Sequence, residues 1–164
     1  QVELITLWSD VWRSYWQRVN NNELGRFELF RKFLDAFPIQ SFLSSTLYWL
    51  VYDLQRKEIY RKELILLLDH YLFHNEKDHD IRCIRARLLF HEQDLINALL
   101  QYEKVLAQDP RNFHALHGQG LCLQMNGNIS GAMASYQQAL LIRPNAAWLS
   151  GVLDRMFVLH SSLK

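Results

Sequence analysis

Apolar side chains recur along this chain at intervals of three and four, the signature of one helix after another. The spacing predicts helices over about 2–19, 23–37, 42–56, 61–74, 79–92, 95–108, 112–126 and 129–143, with a last one after Pro144. That makes about nine. In the first, Leu4, Trp8, Val11 and Tyr15 share a wide apolar face with Trp12 and Trp16, and Asn20 to Asn22 end it. In the second, Leu24, Phe27, Phe30, Leu34 and Phe37 point inward, and Pro38 closes it because proline has no amide hydrogen to continue a helix. The polar run Asn75–Asp78 separates the fourth helix from the rest. No segment alternates with the period of two that a strand requires.

A second, longer period is laid over the helical one. Pro110 and Pro144 are 34 residues apart, as are Tyr102 and Tyr136, Ala98 and Ala132, and Ala86 and Gly120. Several coincidences at one period mark a repeat. The unit 113–146 has a large residue early in its first helix, Leu116, a small one in the middle, Gly120, and a bulky one after it, Leu123. A turn follows at Asn126–Gly127–Asn128. The second helix then offers Ala132, Tyr136 and Ala139 before Pro144. The preceding unit 79–112 repeats the scheme with Ala86, Leu89, Ala98, Tyr102 and Pro110, but Arg82 replaces the early bulky residue and Val105 a small one.

This pattern resembles the tetratricopeptide repeat, a helix–turn–helix unit of 34 residues. The resemblance covers 79–112 and 113–146; stepping back to 45–78 leaves Tyr48, Val51, Leu64, Leu68 and Tyr71 in register without the small residues. It implies an all-α fold, an α-solenoid of stacked helix–turn–helix repeats. It also implies a threefold division: residues 1–78 as a helical N-terminal region of degenerate repeat-like pairs, two repeats over 79–146, and a capping helix over 147–164. The small residues let two helix backbones approach, and the tyrosine is expected to fill the gap to the next unit. Asp94 and Asn128 are placed to cap the helices that follow them. Asp154 falls where a further repeat would need its small residue, so stacking is expected to stop there.

Composition narrows the function. The chain has 164 residues, 49% hydrophobic and 21% charged, with a net charge of +1. Such a balance fits a folded chain and shows no electrostatic footprint for nucleic acid. Six glycines and three prolines are too few for the turns of a β-sandwich. The longest apolar run, LILLLDHYLF, is broken by Asp69 and His70 and falls short of a membrane span. Two cysteines without metal-like spacing favour a reduced, cytoplasmic compartment. The chain starts at Gln1, which reads as a fragment; membrane association would then need an anchor outside it.

Catalysis finds little support. His70 and His74 are spaced i,i+4 and His114 and His117 i,i+3, but no third ligand stands in register, and no metal or other cofactor is expected. Cys122 sits among apolar residues beside Gly120 and reads as core. Cys83 falls on the inward side of its helix and is expected to be accessible, with no general base beside it. Gly118, Gly120 and Gly127 do not follow a strand as a phosphate loop requires.

The resemblance therefore implies a non-catalytic protein–protein interaction module. First helices of such repeats line a concave groove that holds a peptide. Carried over by register, the groove residues are Trp49, Asp53 and Arg56, then Cys83, Arg87 and His91, then His114, His117, Leu121 and Gln124. Arg87 suits a ligand carboxylate, and Trp49 and Leu121 an apolar side chain. The lysine and asparagine clamp with which some members hold a C-terminal carboxylate is absent: its positions carry Trp49, Asp53, Ile84, His114 and Gly118. Trp8, Trp12 and Trp16 pack against the second helix or form a second docking stripe. The expected partner is a protein or peptide, held by an adaptor, assembly factor or chaperone. The alternatives are self-association into a homo-oligomer and service as the specificity module of an enzyme.

Overall fold

The computed structural model describes Leu47, Val51 and residues 60–161. Contacts divide the chain into two units, Gln1–Gln40 and Ser41–Lys164, and every described residue lies in the second. Six helices follow one another: α1 Arg61–His74, α2 His79–His91, α3 Leu95–Gln108, α4 Phe113–Met125, α5 Ile129–Ile142 and α6 Ala147–Ser161. Among the described residues there is no strand. The first two helices expected from the pattern, and the tryptophans of the first, lie outside the described residues; of the third, over 42–56, Leu47 and Val51 are described, both helical and buried.

Each helix packs on the next, and α2 also touches α4. That second contact sets the first helices of successive pairs side by side, as in a solenoid. Four of the helices begin in one way, because each needs a partner for its free first-turn amides. The side chain of Asp78 accepts from the Ile81 amide at 3.1 Å, Asp94 from Asn97 at 3.3 Å, Asn112 from Ala115 at 3.1 Å and Asn128 from Gly131 at 3.0 Å. Asp78 and Asn112, and likewise Asp94 and Asn128, are one repeat apart.

The turns inside the two pairs also correspond. Gly127 has φ of 78° and Gln93, one repeat earlier, has φ of 63°. The left-handed region costs an ordinary L-residue about 1–2 kcal/mol and glycine almost nothing, so the second turn has the better residue.

Two tyrosines close the stack onto two glycines. A Cβ added at Gly120 would lie 2.3 Å from a ring carbon of Tyr136, and one added at Gly118 would lie 2.1 Å from Tyr102 Cζ. Tyr136 thus seats inside its own helix pair, whereas Tyr102 reaches forward to the next. The expectation of a filler between units describes Tyr102 alone; Tyr136 seats on Gly120 of its own pair. Its hydroxyl donates to Gln124 Oε1 at 2.9 Å.

The two departures from the repeat pattern have local causes. Arg82 turns its guanidinium to Gln101 Oε1 at 3.1 Å and to the Glu76 carbonyl at 2.8 Å, so no bulky apolar residue is needed there. Val105 is fully buried beside Ala98, Tyr102 and Ala115. Behind the last pair, α6 buries Leu149, Leu153 and Met156 against Phe113, Leu116, Tyr136 and Ala139. Asp154 is exposed on its other side.

Candidate functional site

A cavity of about 350 Å³ opens between α2 and α4, with α3 beneath it. The first-turn caps and the α2–α4 contact hold these two helices in register. Six of the residues carried over by register line it: Cys83, Arg87 and His91 from α2, and His114, His117 and Leu121 from α4. Gln124 lies outside it and instead accepts the hydroxyl of Tyr136. Trp49, Asp53 and Arg56 lie outside the described residues.

Five further residues complete the lining: Asp80, Ile84, Phe90, Tyr102 and Gly118. By sequence, Ile84 and Gly118 count only as clamp positions that hold the wrong residues, and Tyr102 only as filler between repeats. Tyr102 reaches the cavity because Gly118 has no side chain, and that glycine, two residues before the repeat's own small position, is the signal the sequence offers.

Tyr102 is the floor. The residue is 4% exposed, its phenol end lies over Gly118, and its hydroxyl has no hydrogen-bond partner among the described residues while remaining open to the cavity. Burial pushes its pKa upward, so the group stays a protonated donor. Arg87 is exposed and forms neither an ion pair nor a hydrogen bond with another described residue. The arginines around it behave differently: Arg85 is paired with Asp69, Arg61 with Glu92 at 3.3 Å, and Arg82 is bonded to Gln101.

The three histidines are held below their usual pKa. Burial is the main cause in each; the positive charges of Arg61 and Arg87 add to it at His91, those of Arg143 and Arg87 at His114, and neighbouring His114 at His117. All three are therefore uncharged at neutral pH. Cys83, expected to be accessible, is 7% exposed. Burial, reinforced by Asp80 and Asp109, pushes its thiol up to about 12, and its Sγ lies 3.9 Å from Asn112 Oδ1. It is a packing residue at the cavity wall, because the α2–α4 contact closes over it.

An aromatic group extends the site onto α6. The Trp148 ring meets His117 edge to face at 4.9 Å, Phe113 stacks on His117 at 6.4 Å, and the Arg143 guanidinium lies 4.3 Å above Phe113. Trp148 remains 55% exposed, so one face of it is open. Among the described residues, no three His, Cys, Asp or Glu side chains gather to hold a metal ion, and no helix is long and apolar enough to cross a membrane.

The stacked pairs, the 34-residue period and the glycine–tyrosine contacts define the class: an α-solenoid with the tetratricopeptide-repeat fold. Solved structures agree. MamA from Desulfovibrio magneticus superposes with a TM-score of 0.70 at 16% identity, over 93% of this chain and 85% of that one. A tetratricopeptide repeat protein from Parabacteroides merdae gives 0.69 at 19% identity, over 92% and 60%. The first repeat domain of human RPAP3 gives 0.59 at 18% identity, over 69% and 92%. No protein-family model matches the chain. A curated relative, the probable UDP-N-acetylglucosamine–peptide N-acetylglucosaminyltransferase SPINDLY of Solanum lycopersicum, is 34% identical over 62 residues. That match covers 38% of this chain and 7% of the relative, a small part of the relative's length.

Proposed function

We propose that the chain is a non-catalytic interaction module that holds a peptide segment of a partner protein in the groove between α2 and α4, as an adaptor, assembly factor or chaperone. One observation carries the reading. Six side chains chosen by register converge on a single concave cavity, with apolar walls at Leu121 and polar groups at Arg87 and the histidines. Concave sites that combine an apolar lining with a few fixed polar groups are where peptides and small ligands bind.

Selection of peptides from an unbiased display library, followed by mapping of the amide shifts they cause, tests it. Shifts confined to α2 and α4, and lost in Leu121→Lys, are expected. Binders that shift only α3 and α5, or no binders at all, would overturn it.

A second reading makes the chain a specificity module of an enzyme, which the local match to SPINDLY favours. The full reading frame of the gene that encodes the chain distinguishes the two, because a transferase domain encoded in it supports the second.

A further inference from the structure

The groove between α2 and α4 contains an asymmetry of charge that its peptide-binding role does not by itself require. Arg87 projects from the middle of α2 with no counter-ion among the described residues, while the other arginines of α2 are occupied. Tyr102 lines the same cavity, and its hydroxyl is a second donor without an acceptor among the described residues. Arg87 is exposed and the Tyr102 hydroxyl is open to the cavity, so water satisfies both donors until a ligand with acceptor oxygens displaces it.

Arg87 and Tyr102 together offer the forked pair of a guanidinium and one hydroxyl, a donor set that matches the two oxygens of a carboxylate. From this shared donor set we infer that the groove selects a peptide bearing an aspartate or glutamate side chain, held by Arg87 and Tyr102, with an apolar neighbour against Leu121 and the exposed part of Trp148. This inference rests on the peptide-binding reading.

The surroundings favour an anion. Asp80 is the one acidic side chain in the cavity lining, and it stands two turns from Arg87, about 10 Å along the helix. Glu92, beside His91, is bonded to Arg61. Arg143 lies over Phe113, outside the lining, and lends positive potential to His114. Cys83 and Tyr102 stay neutral.

A side-chain carboxylate fits better than a chain terminus. The lining runs from Asp80 in the first turn of α2 to His91 in the last. That is about 16 Å, room for roughly five extended residues. A chain can therefore continue past Arg87 in both directions. The lower effective dielectric of a half-enclosed site also strengthens the pairing relative to water.

The histidines give the interaction a pH dependence. His91, His114 and His117 face the same cavity and are neutral at pH 7. As pH falls through their lowered range they gain charge, with Asp80 and Glu92 opposing and Arg61, Arg87 and Arg143 adding to the field. Affinity for an acidic peptide then rises as pH falls through that range, which burial holds below the ordinary histidine value, until the ligand's own carboxylate protonates near pH 4.

The test uses fluorescein-labelled peptides taken from the groove-mapping selection, with the whole chain as binder and circular dichroism as the check on folding. Enrichment of Asp or Glu at one position is expected, with the same affinity for free-acid and C-terminally amidated forms. Replacing that acid by Asn or Gln should weaken binding about tenfold or more. Tyr102→Phe should weaken it several-fold, and Arg87→Glu should shift preference to a Lys at that position. Loss of binding on amidation would assign the carboxylate to the peptide terminus and overturn the side-chain assignment. Groove-mapping peptides without acidic enrichment, bound equally by Arg87→Ala, would overturn the inference while leaving the groove reading intact. Failure to map any peptide to the groove would overturn both.

Discussion

Glycine at 120 has a sign that can be worked out beforehand. Alanine inside a helix is worth about 0.8–1.0 kcal/mol over glycine. Against that stands the Tyr136 ring, with carbons 2.3, 2.5 and 3.0 Å from where the Cβ would be. Carbon atoms prefer about 3.5–4.0 Å, so the ring must retreat by more than an ångström. It has nowhere to go: Tyr136 is 1% exposed and its hydroxyl is tied to Gln124. Overpacking of this kind costs about 1–3 kcal/mol, which outweighs the helix gain by up to about 2 kcal/mol.

Gly151 in α6 is the internal control. The nearest atom to its added Cβ is the mobile end of Arg155 at 3.8 Å, so Gly151→Ala should collect the helix gain undiminished, about 1 kcal/mol. For a chain of this size that is a rise of about 2–4 °C in Tm, while Gly120→Ala should lower it. A Tyr136→Leu background removes the ring atoms that clash. There Gly120→Ala should become stabilising, a coupling of about 1–3 kcal/mol in a double-mutant cycle followed by urea unfolding. Equal stabilisation by the two alanines, or a coupling within about 0.5 kcal/mol of zero, would refute the ring-on-glycine packing.

Gln93→Gly, at φ 63°, should raise the denaturation midpoint modestly without changing the slope, since relief of the left-handed backbone exceeds the added chain entropy by up to about 1 kcal/mol. Gly127→Ala should lower it; the reverse order of midpoints would contradict the turn geometry. Cys83 and Cys122, with thiols pushed up to about 12 and about 11, should react with a thiol reagent at neutral pH only at the rate of opening, and denaturant should release both. Fast labelling of Cys83 in the folded chain would show that α2 and α4 do not close over it. Because His91, His114 and His117 titrate lower when folded, the unfolded chain takes up protons first as pH drops through about 6.5, so stability should fall from there downward. Urea midpoints at pH 7.5 and 5.5 measure this, and His114→Asn with His117→Asn should flatten the difference.

Local and periodic features were readable from the residues alone. The helices over 61–143 follow from apolar spacing, and the caps at Asp94 and Asn128 from a short polar side chain acting on its own backbone; the matching caps at Asp78 and Asn112 came from the structure. The 34-residue coincidences placed Ala98, Ala132, Gly120 and Tyr136 in the packing, since each repeat solves the same contact. Register also placed the six groove residues on one side of α2 and α4.

What register could not supply is which partner each ring takes. Tyr102 and Tyr136 occupy equivalent positions, yet one seats across repeats on Gly118 and the other within its repeat on Gly120. Cys83 counts as inward-facing by period but is covered by the neighbouring helix. Arg87 stands out only once Arg61, Arg82 and Arg85 are seen to be engaged. Period and composition determine where a side chain points along its own helix. Enclosure, charge pairing and the depth of a notch depend on atoms brought in from other helices, and those distances exist only in the folded stack.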